Sequence, residues 1–170
     1  ETGAADGIII FNAGGGAIRA ALTGNNIDYA GTQRAIIYQA GQDGSGAGDL
    51  TVTGNTIDVK LDGAGNAVTG ILAQTAITGP GNTSSLCADI GGAGALSNTF
   101  THSLGGGMAG GDIRVRQRND GTVRLPGYAG AAGDTAAVIT YLNGRNAEVS
   151  PTTATFDSGG FAGGTACLQP

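Results

Sequence analysis

The sequence predicts an all-β fold: a right-handed parallel β-helix, a solenoid of about four rungs, with a C-terminal cap that contains one short helix. Three observations predict it. The segment Leu22-Thr23-Gly24-Asn25-Asn26-Ile27-Asp28 recurs 30 positions on as Val52-Thr53-Gly54-Asn55-Thr56-Ile57-Asp58. Short Ile-, Val- and Leu-rich runs of strand length lie upstream of these copies. Glycine fills 34 of the 170 positions and proline only 4, with no strict three-residue glycine period, so the glycines suit tight turns and a collagen-like chain is excluded.

The elements follow in order. Ile8-Ile9-Ile10-Phe11, Ala35-Ile36-Ile37-Tyr38, Gly70-Ile71-Leu72-Ala73 and Ile113-Arg114-Val115-Arg116 open successive units. Each unit reads as strand, Gly-rich turn, strand, Asn-containing turn, strand. A period near 30 suits one solenoid rung, with each strand stacked on its equivalent at about 4.8 Å. Ile57, Val59 and Leu61 alternate with Asp58, Lys60 and Asp62, the period of a strand with one face inward. Leu96-Ser97-Asn98-Thr99-Phe100 is a weaker third copy. Asn55 and Asn98 stand 43 positions apart, which predicts an inserted loop near 76–86, where Thr78-Gly79-Pro80-Gly81-Asn82-Thr83-Ser84-Ser85 has loop composition. The repeat fades after about Gly121. Rungs are therefore expected over 1–121 and a capping segment of the same domain over 122–170, because an open solenoid end exposes core and unpaired strand edges. Within that segment Asp134 is placed to cap a helix running to Leu142.

Composition narrows the function classes. The net charge is −5 and the eight basic residues cannot form a broad basic footprint, so no nucleic-acid partner is expected. Aromatic residues make up 5% and tryptophan is absent, which argues against a stacking platform for sugars or bases. No apolar run approaches the roughly 18 residues of a membrane span. The opening Glu1-Thr2-Gly3 reads as the start of a processed or excised fragment. Cys87 and Cys167 are the only cysteines and His102 the only histidine, too few ligands for a zinc site, so no metal and no cofactor is expected. For an extracellular chain the two cysteines are expected to pair, with two buried free thiols as the alternative.

The motifs Thr23-Gly24-Asn25-Asn26-Ile27 and Thr53-Gly54-Asn55-Thr56-Ile57 resemble the rungs of right-handed parallel β-helix proteins of the pectate-lyase-like superfamily, over roughly residues 7–118. Arg116-Gln117-Arg118, Arg124-Leu125-Pro126-Gly127 and Thr165-Ala166-Cys167-Leu168-Gln169-Pro170 resemble the C-terminal segment of large, repetitive bacterial surface or exported proteins. The resemblance implies a secreted or cell-surface location. It also implies that the turn asparagines Asn25, Asn55 and Asn98 stack inside the coil as a ladder of side-chain amides, which meets the hydrogen-bonding needs of buried polar groups. The alternative is that these asparagines supply turn geometry at the surface.

Lyases of that superfamily use clustered carboxylates to hold calcium and a basic residue to remove a proton. Here Asp43, Asp49, Asp58, Asp62, Asp89 and Asp112 are scattered in sequence. The glycosidase members carry paired Asp motifs and Gly-His-Gly; this chain has Thr101-His102-Ser103, and His102 is expected at the surface. Gly44-Ser45-Gly46-Ala47-Gly48-Asp49 and Gly91-Gly92-Ala93-Gly94-Ala95-Leu96 both miss positions of the calcium-binding glycine repeat. No catalytic residue is assigned. The sharpest local feature is Asp112-Ile113-Arg114-Val115-Arg116-Gln117-Arg118. In a strand, Arg114, Arg116 and Arg118 share one face, either as a site for an anionic ligand or as a solvated face paired with Asp112, Asp120 or carboxylates of a neighbouring rung.

These readings converge on a structural or adhesive module that extends or terminates a surface protein, or assembles into a fibre by end-to-end stacking. A cell-surface glycan is the other expected class of partner. The alternative is a β-helix that binds or cleaves polysaccharide. A Gly-rich β-sandwich does not account for the 30-residue offset.

Overall fold

The structure is a computed structural model and describes residues 6–29, 31, 33–41, 44–59, 69–75, 78–103, 111–147, 149 and 151–170. Strands dominate, and the chain visits three sheets in rotation. β1 (Ile8–Asn12), β2 (Ala17–Thr23) and β3 (Asn26–Tyr29) make the first circuit. β4 (Arg34–Ala40), β5 (Ala47–Thr53) and β6 (Thr56–Val59) make the second. β7 (Thr69–Thr75), β8 (Ser85–Ile90) and β9 (Thr99–Thr101) make the third. β10 (Ile113–Arg116) and β11 (Thr122–Arg124) follow, then the helix α1 (Thr135–Asn143), β12 (Thr152–Thr155) and β13 (Phe161–Ala162). Sheet 1 has the order β1-β4-β7-β10-β12, sheet 2 the order β2-β5-β8-β11-β13, and sheet 3 the order β3-β6-β9. Every strand pair is parallel. The architecture is thus all-parallel β with one helix, compatible with a solenoid-like fold. β11, β12 and β13 extend the same sheets beyond Gly121.

Parallel pairing in register carries each side chain onto its counterpart in the next circuit. On sheet 1, Ile8, Ile36, Ile71 and Ile113 form one inward column. On sheet 3, Ile27, Ile57 and Phe100 form another. Most of these are fully buried, and stacking like on like fills the interior with few shape conflicts. One column is deliberately interrupted. Gly48 lies between Ile18 and Leu86, and a Cβ there would sit 2.5 Å from the Tyr38 hydroxyl, which donates to the carbonyl of Ile18 at 2.6 Å. The repeated Thr-Gly-Asn turn has its left-handed residue at Gly24 and Gly54, with φ of 65° and 66°.

The extra residues that separate Asn55 from Asn98 are spread over several turns rather than gathered in one loop near 76–86. Ala17 stands opposite Ala47, an offset of 30, but Ile36 stands opposite Ile71, Asp49 opposite Cys87 and Ile57 opposite Phe100. The offset therefore grows by steps, and parallel stacking tolerates this because only the strands must keep register. The third copy of the motif is also displaced. Ile90, not Leu96, pairs with Val52, and Leu96 lies 57% exposed in a short 3-10 turn, Gly94–Leu96. The alternation predicted through Lys60, Leu61 and Asp62 lies outside the described residues beyond Val59, as does Asp43.

The two ends of the stack differ. At the C-terminal end α1 begins at its cap Asp134, whose side chain accepts from the Ala137 amide at 2.9 Å. The helix buries Val138 and Leu142 in the core, and Ala147 then bridges to Thr99 beside β9. Arg145, at the helix exit, stacks 5.1 Å from the Tyr141 ring and ion-pairs with Asp89 of β8 at 2.5 Å. At the N-terminal end, Ile8, Ile10, Ile18, Ala20, Leu22 and Ile27 point inward but are only partly buried. Among the described residues no strand pairs with the outer edges of β1, β2 and β3.

Candidate functional site

Three sets of residues singled out in the sequence come together in space. The first is the asparagine set. Asn25 Nδ2 donates to Asn55 Oδ1 at 3.0 Å, and Asn55 Nδ2 donates to Asn98 Oδ1 at 2.9 Å. The same acceptor oxygens take the backbone amides of Asn25 and Asn55, at 2.9 and 3.1 Å. The ladder has a fourth member that no repeat marked: Asn98 Nδ2 donates to Asn146 Oδ1 at 2.8 Å. Asn146 follows the exit of α1, and its own amide donates to the carbonyl of Leu142, the penultimate helical residue, at 2.8 Å. Asn55 and Asn98 are buried whereas Asn25 is exposed. The ladder is polar: each amide donates toward the C-terminal end, leaving the Oδ1 of Asn25 facing the open N-terminal end.

The second set is the cysteine pair. Cys87 and Cys167 are bonded, with Cα atoms 5.5 Å apart and 80 positions between them. Cys87 lies on the outer face of sheet 2 in register with Asp49 and Arg124. The bond lays the C-terminal segment across that face. The Leu168 amide donates to Asp49 Oδ1 at 3.0 Å, Gln169 Nε2 to Thr51 Oγ1 at 2.8 Å, and Arg124 Nη1 to the Thr165 carbonyl at 2.6 Å. Among the described residues, Asp49, Cys87 and Cys167 are the one cluster of metal-ligand types, and both sulfurs are committed to the disulfide.

The third set is the arginine row. Arg114 and Arg116 point outward from β10 while Ile113 and Val115 are buried, and Arg118 follows in the next turn. The expected pairing with Asp112 or Asp120 does not occur. Asp112 is fully buried and lies 2.7 Å from His102 Nε2, while Asp120 accepts from Ser158 Oγ at 2.8 Å. Among the described residues no carboxylate is within ion-pair distance of Arg114, Arg116 or Arg118. Burial, together with the charges of Arg118, Arg114 and Arg34, pulls the Arg116 guanidinium below its ordinary pKa. A cleft of about 410 Å³ opens beside the row, lined in part by Arg118, Asn119, Thr155 and Phe156.

His102 is not the simple surface residue expected. Its side chain is 23% exposed and engaged with Asp112, because the end of β9 lies beside the start of β10. Among the described residues the other candidate carboxylates are engaged separately, with Asp28 in register beside Asp58 on the neighbouring strand. Asp49 faces Arg124 and the C-terminal segment, Asp58 accepts from Ser103 Oγ at 2.6 Å, and Asp89 pairs with Arg145. Comparison with known protein families, curated proteins and solved structures finds no match to this chain. No helix among the described residues is long and apolar enough to cross a membrane.

Proposed function

We propose that this chain is a structural, adhesive module of a secreted or cell-surface protein: the terminating section of a longer right-handed parallel β-helix. On this reading the circuits are rungs, α1 covers the core at one end, the disulfide-bound tail straps the outer face of sheet 2, and the other end accepts a further rung. The observation that carries the proposal is the difference between the ends. Six apolar side chains from Ile8 to Ile27 are partly covered at one end; at the other Ala137, Tyr141, Val149 and Ala154 are partly covered while Val138 and Leu142 of α1 are fully buried.

The ladder selects the occupant. Asn55 Oδ1 accepts both the side-chain and backbone N–H groups of Asn25, so Asn25 Oδ1 offers the same two-donor site to a preceding parallel rung. A second copy of the module does not present those two donors at its C-terminal end, where the ladder stops at Asn146 with its side-chain amide turned to the Leu142 carbonyl. The proposal is therefore a terminator rather than a self-polymerising fibre. Among the described residues Asp49, Asp58, Asp89 and Asp112 each have a partner within this chain, which supports this reading over a polysaccharide-cleaving one. The test is to copy residues 30–59, one repeat, in front of the chain and measure thermal unfolding. A midpoint raised by about 5 °C or more is expected, from covering the open apolar end. An unchanged or lower midpoint overturns the reading.

A further inference from the structure

The outer face of sheet 1 around β10 has polar groups that have left water without gaining partners. Arg114 Nε, Arg116 Nε, Gln74 Oε1 and Thr153 Oγ1 are all buried and unbonded. They sit together: Arg116 is in register with Gln74 on β7, and Arg114 with Thr153 on β12. Such a concentration is costly to the free protein, because each unmet buried donor or acceptor forfeits its hydration. Three cations with no carboxylate in ion-pair reach among the described residues add repulsion to that cost. Yet the fold pairs charges elsewhere, as at Arg145 with Asp89.

We propose that this face binds an extended acidic peptide segment whose carboxylates alternate along its strand, with Arg114, Arg116 and Arg118 as the receiving groups. Successive same-face residues of a β-strand repeat at about 6.6–6.8 Å. Arg114 and Arg116 have that spacing by being two apart on β10. An extended ligand laid alongside presents Glu or Asp at every second residue with the same repeat, so each guanidinium fork meets one carboxylate. A peptide also carries backbone N–H donors, which a bare oxyanion lacks, to complement a face holding both donors and the Gln74 acceptor. The adjoining cleft, lined by Phe156 at 43% exposure, by Thr155 in register with Arg116 and by Asp157, which accepts from the Asn119 amide, receives a neighbouring uncharged ligand side chain. Partial burial makes each such pair stronger than an ordinary surface contact and less sensitive to salt. The inference does not depend on what covers the N-terminal end.

The test is titration of the intact chain with a labelled peptide of alternating Glu and Thr, against a peptide of the same composition with its Glu residues in one block. The alternating peptide is expected to bind at least tenfold more tightly. Arg116→Gln and Arg118→Gln are each expected to weaken it tenfold or more, while Arg19→Gln, on the outer face of sheet 2, leaves it unchanged. Unfolding midpoints check that the variants fold; Arg118 lies in a turn, so Arg118→Gln serves if Arg116→Gln is destabilised. Equal binding of the two peptides, binding unaffected by the row variants, or no binding overturns the proposal. So does tighter binding by sulfated dextran, which would identify the face as a polysaccharide site instead.

Discussion

Asn98 donates its side-chain amide to Asn146, 48 positions further along, at 2.8 Å. That bond ties the coil interior to the exit of the closing helix. Asn98 is committed on both sides of the ladder: its Oδ1 accepts from Asn55 twice and its Nδ2 donates to the Val52 carbonyl as well. Asn98→Ala leaves several buried groups unmet, and a destabilisation of about 2–3 kcal/mol is expected. Asn25 is exposed and bonds on one side only, so Asn25→Ala is expected to cost under about 1 kcal/mol. Urea unfolding of both variants checks the order; equal costs would refute the ladder as an energetic device.

The disulfide closes a separation of 80 positions, and the chain-entropy account assigns such a cross-link about 4–5 kcal/mol. Cys87→Ser with Cys167→Ser is expected to lose a large part of that. The loss has a local signature. Leu168 and Gln169 hold to Asp49 and Thr51 by one hydrogen bond each, too few to keep the tail in place unaided. Hydrogen exchange of residues 163–170 is expected to rise most on reduction, while β4, β5 and β7 lose protection only by the fall in global stability. A rise at 163–170 no larger than theirs would mean that the bond does not hold the tail in place.

Tyr38 links pH to stability. Burial first, and the nearby Asp49 charge second, push its hydroxyl up to about 12. In the unfolded chain it titrates near 10. A group whose folded pKa is raised contributes stability that is complete below the unfolded value and is lost as pH climbs toward the folded one. Stability is therefore expected to fall between pH 10 and 12, by about 1.4 kcal/mol per pH unit from this residue. Tyr38→Phe removes the bond to Ile18 and costs about 1 kcal/mol at neutral pH, but flattens the alkaline slope. Tyr29, Tyr128 and Tyr141 are also raised by burial, so the slope is reduced rather than abolished. Chemical unfolding at stepped pH measures both effects.

How much of this was legible depended on whether a residue stood in a repeat. Asn25 and Asn55 share one heptapeptide, so their stacking follows from the 30-residue offset. Asn146 performs the same task from a helix exit, with no local motif, because the ladder needs only an amide at the right place in space. The third copy misled for a related reason. Leu96 resembles Leu22 and Val52 in sequence, but an insertion lies between β8 and Asn98, and Ile90 takes the stacked position. The arginine row was visible as an alternation, whereas its lack of carboxylate partners among the described residues was not. Asp112 lies next to it in sequence, yet a strand turns alternate residues to opposite faces, and Asp112 goes inward to His102.

The open end makes a sharper prediction than the ladder does. Leu22 and Leu50 both point into the coil, but Leu50 is fully buried inside the stack and Leu22 lies in the first circuit, only partly covered. Truncating a leucine in a closed core costs about 2–5 kcal/mol, because the transfer term and the cavity term add. At a half-covered site the cavity term largely vanishes and part of the transfer term is already lost to water. Leu50→Ala is therefore expected within that range and Leu22→Ala below about 1.5 kcal/mol. In the chain that carries a copied repeat in front, Leu22 becomes interior. Its truncation is then expected to cost as much as that of Leu50, while the Leu50 value stays where it was. If Leu22→Ala already matches Leu50→Ala in the chain alone, the N-terminal end is closed, and the argument for a terminating module fails with it.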